Sequence, residues 1–563
     1  MLGRDVLLDI LADEGVDRVF GNPGTTELPL VDALAAAAAT ATATATGQST
    51  GRSIDYVLAL QEATAVAMAD GYAQVTGRPS FLNLHTSAGL GNAIGNLTNA
   101  RANGSPIVVT AGQQDRRHLV TDPLLGGDLV GLASPVAKSA TEVTRVDDLG
   151  VLVRRAFTDA LDWPRGPVFL SLPMDLLDEK VDGPVPPGSR IDRRTVPDSV
   201  AELADLLCEP PAGELAIVVG DEVAASGAMA ATVELAETLG AQVFATPLHA
   251  TGVFPPGHPL FGGALPPSAA DMRRLLDPFR RLFLIAGRGL ITYPYTDGSP
   301  LPDHLDLVHL SPDPAQLGRV LPARFAVVGD PLATVRALLV LTRGKVDRAA
   351  VAAVVAARAE HRRRRLDGLD RKAVDRYDDV PTHPMAAVHA VVKALPADAL
   401  VVDEAVTNTP YLRGLYHFTE PNRYFGCRGG GLGWGMPAAV GVSLGAGMAP
   451  TVCVVGDGSA MYSPQALWTA AREAAPVVFV VLDNQEYLIL KSSLRTMYGR
   501  SADRGEFAAL DLDRPALDFV ALATSMGVPG RTVGSAAEVG DAVRAAFEHG
   551  GPALVHVRVG GAR

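Results

Sequence analysis

Short apolar runs alternate with amphipathic stretches along the whole chain, and the alternation falls into three blocks. In about residues 1–185 the runs "YVLAL", "SFLNL", "PIVVTAG" and "GPVFLSLP" have the length of buried strands. Helical periods such as "DVLLDILADEG" separate them. Continuous apolar strands between helices predict a parallel sheet covered on both faces. "DEKVDGPVPPGSR" then reads as a linker, because Pro and Gly interrupt any period. About residues 195–345 repeat the pattern with "ELAIVVGDE", "AQVFATP", "RLFLIAGRG" and "LDLVHLSPD". About residues 346–380 read as a charged helical linker, with the Arg362–Arg365 run as a solvated face. About residues 381–563 form a third block, with "ALVVDE", "TVCVVGDG", "APVVFVVLDN" and "PALVHVRV". The expected fold class is α/β, with three doubly wound parallel-sheet domains. "AAAAATATATATGQSTG" (35–51) is low in complexity and reads as a flexible surface insertion.

The totals narrow the partners. With 563 residues, 48% of them apolar, the chain can bury several cores. No uncharged apolar stretch reaches the ~18 residues of a membrane span. The acids in "MLGRDVLLDILADEG" make the N-terminus an amphipathic helix rather than a secretory signal. A net charge of −13 argues against nucleic acid or an anionic membrane as partner. Three scattered cysteines fit a reducing cytoplasm and predict neither a disulfide framework nor a zinc site. No G-x-G-x-x-G loop follows a strand, which disfavours a nicotinamide dehydrogenase.

The chemistry concentrates in "VVGDGSAMYS" (454–463). Asp457 sits between Gly456 and Gly458 at the end of an apolar strand. A helix follows, and the next strand ends at Asn484. In a right-handed β-α-β unit both residues reach the carboxyl edge of the sheet, where open α/β sheets bind ligands. A carboxylate and an amide oxygen beside bare glycines suit Mg²⁺, which takes about six oxygens and commonly shares some with a phosphate. Ser459 and the helix start offer donors to an anion. A tight turn explains GDG alone; it does not explain the paired Asn.

That segment resembles the diphosphate-and-metal motif of thiamine diphosphate enzymes. "VFGNPGTTELPL", "LALQEATAVAMADGYAQVTGRP", "NLHTSAGLGNAIGNL", "SPIVVTAGQQ" and "GGLGWGMPAAVGV" extend the resemblance over nearly the whole chain, closest to benzoylformate decarboxylases. The resemblance implies a pyrimidine-binding, a central and a diphosphate-binding domain. It implies a homo-oligomer, a dimer of dimers, with the cofactor between the first domain of one copy and the third of another.

Residue by residue, it implies that Glu62 activates the pyrimidine. It gives Gly430 a carbonyl for the 4′-amino group and makes Leu432 the bulky support of the bent cofactor. Thr409 falls where the family binds the diphosphate. An earlier Thr of the pattern is Val406 here, which leaves that contact to Thr407 or Asn408 or removes it. Asp457, Asn484 and the Glu486 carbonyl take the metal. Gly456, Gly458, Ser459, Tyr487 and Leu488 complete the cofactor site. His85 and Thr25 match substrate-facing residues, and Leu124, Ile489, Leu490 and Ser493 fall at the pocket. Three positions depart from the benzoylformate pattern. Tyr293 stands where a second histidine belongs, with Tyr295 and His304 nearby, and a phenol is a poorer proton donor at pH 7 than an imidazolium. Gly426 and Ser493 replace aromatic substrate contacts.

The implied reaction is decarboxylation of a 2-oxo acid, a small-molecule substrate, through a C2 carbanion and an enamine, releasing CO₂ and an aldehyde. Transfer to an aldehyde or ketone acceptor, as in acetolactate synthase, is the alternative. A flavin-bearing oxidase and a non-catalytic binding protein are weaker readings. The first lacks a dinucleotide loop; the second does not account for Glu62 with Asp457 and Asn484.

Overall fold

The computed structural model describes residues 1–43, 54–497 and 499–561. The first sheet contains β1 (Arg18–Gly21), β2 (Asp55–Leu58), β3 (Ser80–Leu84), β4 (Ile107–Gln113), β5 (Ala140–Glu142) and β6 (Val168–Pro173). The central sheet contains β7 (Leu215–Val219), β8 (Gln242–Ala245), β9 (Phe261–Ala264), β10 (Arg281–Ile285), β11 (Asp306–Ser311) and β12 (Phe325–Val328). The third contains β13 (Leu400–Glu404), β14 (Tyr424–Gly426), β15 (Thr451–Gly456), β16 (Val477–Asp483), β17 (Gly530–Val533) and β18 (Ala553–Arg558). Within each sheet the pairings are parallel.

The first sheet runs 2-1-3-4-6-5, and the third repeats that order as 14-13-15-16-18-17. The two domains are topological copies. The central order, 9-8-7-10-11-12, is that of dinucleotide-binding folds. One apolar core runs through the first and third domains, from Phe20 and Leu82 to Trp434 and Val455. The central domain keeps its own. Among the described residues no helix is long and apolar enough to cross a membrane.

The two copies meet through helices Glu62–Thr76 and Gly435–Gly445. A Cβ on Gly71 would lie 2.3 Å from the Ala438 carbonyl oxygen, and one on Gly441 would lie 1.9 Å from that of Met68. The backbones themselves are in contact, so no side chain can yield. Gly441→Ala is expected to cost about 2 kcal/mol or more of stability, as overpacking does, and to lower the urea midpoint.

Two expectations change. The low-complexity segment does not begin as a loop: residues through Ala43 continue helix Leu28–Ala43, because alanine favours helix. The remainder of that segment lies outside the described residues. In helix Arg348–Val374 the arginine run is not uniformly solvated. Arg363 and Arg364 pair with Glu360. Arg362 is buried, donates to the Pro256 carbonyl and stacks 5.7 Å over Phe261, and Arg365 reaches the Gly262 carbonyl at 3.0 Å. Two of the four guanidinium groups thus fasten the linker helix to the central domain.

Candidate active site

Three strand ends build the site, and each carries a residue in the left-handed region just beyond it. These are Thr86 after β3 (φ 48°), Val406 after β13 (φ 48°) and Gln485 after β16 (φ 59°). Threonine and valine adopt that conformation only when their surroundings impose it, and such strain gathers at functional sites.

In the first domain Glu62 opens helix Glu62–Thr76, with Gln61 as its N-cap. Its carboxylate is 8% exposed and accepts from the Asn92 amide at 3.0 Å, with the Asn22 amide at 3.4 Å. His85 ends β3 and caps the next helix. A Cβ on Gly89 would lie 3.2 Å from Glu62 Oε1 and 3.5 Å from His85 Cβ, so the two predicted residues flank one glycine. The turn "NPG" after β1 lies against the imidazole: a Cβ on Gly24 would lie 2.3 Å from the ring.

His85 Nδ1 is 2.8 Å from Glu27 Oε2, and Nε2 has no partner among the described residues. Glu27 is 1% exposed and also accepts from the Gly24 N–H (2.8 Å), the Gly112 N–H (2.9 Å) and the Thr26 hydroxyl (2.7 Å). A carboxylate oxygen only accepts, so this contact places the imidazole proton on Nδ1 and leaves Nε2 open. Sequence reasoning missed Glu27, which there looks like an ordinary acid in a first helical turn. The available signal was its place three residues after Gly24, the spacing of a capping box. Thr25, beside it, is exposed.

In the third domain Asp457 opens the short helix Asp457–Ala460. Asp457 is 4% exposed; Oδ1 accepts from the Gly458 N–H at 2.9 Å and Oδ2 from the Gln485 N–H at 2.8 Å. Burial, then contact with the Asp483 carboxyl, pushes Asp457 up to about 7. Buried acids in contact share a proton or a cation. Among the described residues no set of three or more His, Cys, Asp or Glu could hold a metal. A cation here would therefore draw on neutral oxygens, which Asn484 and the Glu486 carbonyl can supply, and on a ligand. The residues fit Mg²⁺ in that sense. The Asn484 amide oxygen accepts from the Glu486 N–H at 3.1 Å, and the Glu486 side chain is taken by Lys491 at 2.5 Å. Tyr487 lies over Gly458, whose Cβ would stand 2.7 Å from the ring; Gly456 opens onto free space. Asn484, Glu486, Leu488, Thr407 and Asn408 line a cavity of about 950 Å³. Thr409 gives its hydroxyl proton to Asp403 at 2.9 Å, so this loop presents Thr407 and Asn408 to the cavity instead. Ser459 is buried at the helix start.

The glycine loop 429–433 is fixed rather than a loose turn. Asn99 exchanges hydrogen bonds with the N–H and carbonyl of Gly431, both at 3.0 Å. The buried Glu404 carboxylate accepts from the N–H groups of Gly433, Trp434 and Gly435 at 2.8–3.1 Å. The Trp434 indole donates to the buried Asp70 at 2.8 Å. Leu432 and Gly430 (φ 75°) are thus held between both domains.

Other predicted residues stand apart within the chain. Tyr293 is 72% exposed on the central domain, and its N–H donates to the Pro267 carbonyl. Tyr295 bonds Asp297, and His304 lies 3.0 Å from the Asp277 carbonyl. Leu124 is 85% exposed on the loop after β4. Ile489 and Leu490 are exposed, and Ser493 returns its hydroxyl to the Ile489 carbonyl at 2.9 Å. Gly426 is buried in edge strand β14, its N–H on the Ala250 carbonyl.

Family models of thiamine pyrophosphate enzymes match all three domains: the N-terminal TPP-binding domain at residues 1–128, the central domain at 200–338 and the C-terminal TPP-binding domain at 405–557. A benzoylformate decarboxylase of Pseudomonas aeruginosa is 32% identical over 98% of this chain and 97% of its own length. The acetolactate synthase isozyme 3 large subunit of Escherichia coli is 26% identical over 93% of this chain and 88% of its own. The solved structure of a thiamine diphosphate-dependent 4-hydroxybenzoylformate decarboxylase from Rhodococcus jostii RHA1 superposes with a TM-score of 0.85 at 28% identity, covering 100% of both chains. With its three matched domains and a full-length relative at that identity, the chain belongs to the thiamine pyrophosphate enzyme family, among its decarboxylases and acetolactate synthases, and is an enzyme of the lyase or transferase kind.

Proposed function

We propose that this enzyme decarboxylates a 2-oxo acid, using thiamine diphosphate and Mg²⁺, and releases CO₂ and an aldehyde. The observation that carries the reading is the pairing of Glu62 and His85 around Gly89, with His85 anchored by buried Glu27. The bound cofactor would supply the electron sink for loss of CO₂. Glu62 would hydrogen-bond its pyrimidine ring and hold a proton there. Asp457, Asn484 and the Glu486 carbonyl would hold the cation, Thr407 and Asn408 would face the diphosphate, and Leu432 would support the rings. Conversion of the 2-oxo acid and one proton to CO₂ and an aldehyde needs a proton at the former keto carbon. His85, with its proton on Nδ1 and Nε2 open, is placed to relay it.

Exposed apolar side chains support a homo-oligomer, a dimer of dimers. Leu28, Leu60, Val120 and Leu124 of the first domain and Met461, Tyr462, Ile489 and Leu490 of the third stand uncovered near the site-bearing strand ends. The first domain of one copy covering the third of another would bury both groups. The unpaired thiols Cys208, Cys427 and Cys453 support a cytoplasmic location.

A carboligase is the second reading, favoured by the solvent-exposed Tyr293 in place of a second imidazole. There a second carbonyl would take the place of the proton. Product analysis with and without an aldehyde acceptor separates the two. Aldehyde as the sole product under both conditions is the expected result; a condensed hydroxyketone as the main product would overturn the decarboxylase reading.

A further inference from the structure

Arg428 follows edge strand β14 and stands two residues before Gly430, and its bonds reach beyond its own domain to both of the others. Its N–H donates to the Asn103 side-chain oxygen of the first domain at 2.8 Å. Its guanidinium pairs with Asp221 Oδ2 at 3.2 Å and donates to the Arg288 carbonyl at 3.1 Å, both on the central domain. The side chains of Arg428 and Asp221 are 8% and 10% exposed. Asp221 Oδ1 accepts from the N–H groups of Ala250 and Thr251, at 2.8 and 3.0 Å, and from the Thr251 hydroxyl at 3.1 Å. That same segment lies along β14: Gly426 donates its N–H to the Ala250 carbonyl, and Gly252 donates to the Tyr424 carbonyl at 3.0 Å. One carboxylate therefore holds both the segment that flanks β14 and the residue by which the chain leaves it.

Beyond Arg428 the chain has little stiffness of its own. Gly429–Gly431 are three consecutive glycines, with Gly430 at φ 75°. Gly429 lies against Asn99, where a Cβ would stand 2.7 Å from the Asn99 Cα. Asn99 and Asn103 are one turn apart on helix Thr86–Asn103, so Arg428 and Gly431 are seated on successive turns of one helix face. A plain staple between the central and third domains is already supplied by the backbone bonds of Gly426 and Gly252. A buried ion pair adds little net stability to such a staple, because both charges lose water. What the Arg428 fork adds is direction: it fixes where the glycine loop starts.

We infer that Arg428, oriented by Asp221, is a positioning residue for the cofactor loop, so that the central domain sets the aim of Gly430 and Leu432. The inference rests on the reading of those two residues as supports of thiamine diphosphate. A displacement of about 1 Å far from the reacting atoms can cost about a hundredfold in rate. Freeing the start of the loop is therefore expected to loosen the cofactor and slow turnover together.

Amide hydrogen exchange of residues 427–432 in the cofactor-stripped full-length protein tests this, together with a fluorescence titration with thiamine diphosphate and Mg²⁺. Asp221→Asn keeps an oxygen for Ala250 and Thr251 but turns an NH₂ toward the guanidinium. It is expected to speed exchange in the loop and to weaken cofactor binding, each by about tenfold or more. Exchange in helix Pro384–Ala394, on the far side of the third domain's sheet, should not change. Arg428→Met should act like Asp221→Asn. Arg428→Lys keeps the charge but loses the fork, and supplies the answer if Arg428→Met does not fold. In an Arg428→Met background Asp221→Asn should add nothing to either readout, since its effect passes through the guanidinium. Unchanged loop exchange in a folded variant, or an Asp221→Asn effect that persists without the guanidinium, would overturn the inference and leave the proposed roles of Gly430 and Leu432 standing. Faster exchange with unchanged cofactor affinity rejects those roles and the inference with them.

Discussion

Glu62→Gln is expected to lower turnover by about a thousandfold, the range of a lost acid–base group, while cofactor affinity changes little. The amide keeps the shape of the side chain and one of its two oxygens. Asn92 and Asn22 remain able to contact it, and one donor-against-donor contact is all the fold must absorb. What the amide cannot do is exchange a proton with a pyrimidine ring. Steady-state turnover together with a cofactor titration by intrinsic fluorescence checks both halves. Unchanged turnover in a protein that still binds the cofactor would remove Glu62 from the mechanism.

The second large effect is expected at Glu27→Gln. All four partners of this carboxylate are donors: two backbone N–H groups, the Thr26 hydroxyl and His85 Nδ1–H. An amide NH₂ can receive none of them. Whichever way it is turned, two buried donors lose their acceptor, at about 1–3 kcal/mol each. Stability should therefore fall by roughly 2–6 kcal/mol. Turnover should fall between about 10² and 10³, because an imidazole that loses its anchoring acid loses both its tautomer and its aim. The fold penalty and the catalytic one can be told apart. In a His85→Ala background the turnover effect of Glu27→Gln should vanish while the stability effect persists, since only the former acts through the ring.

The same contrast between acceptors and donors explains what could be read from the sequence. Among the described residues eighteen strands form the three sheets, and twelve of them were legible as apolar runs. The six that were not are β1, β5, β9, β12, β14 and β17. All have three or four residues, and five of them lie at sheet edges. An edge strand is wetted on one side, so "FGGA" or "GRTV" carries no continuous apolar signal. Asp457 and Asn484 were legible together because a β-α-β unit brings successive strand ends to one edge. Glu27, Glu404 and Asp483 were not. Each is a buried acid whose meaning lies in donors distant in sequence: Gly112 for Glu27, Gly433–Gly435 for Glu404, His556 for Asp483. Thr409, which reads as a phosphate contact in the sequence, gives its hydroxyl proton to Asp403, six residues earlier. Helical Ala36–Ala43 was obscured by its repetitive composition, though alanine itself is a strong helix former.

The most direct test of the central claim is CO₂ release by the stripped and reconstituted protein across aromatic, branched and small 2-oxo acids. Release from one class of acid, restored only when thiamine diphosphate and Mg²⁺ are both returned and lost again in Glu62→Gln, is the predicted result. Release that persists without the cofactor, or no release from any acid by protein shown to hold both, would contradict it.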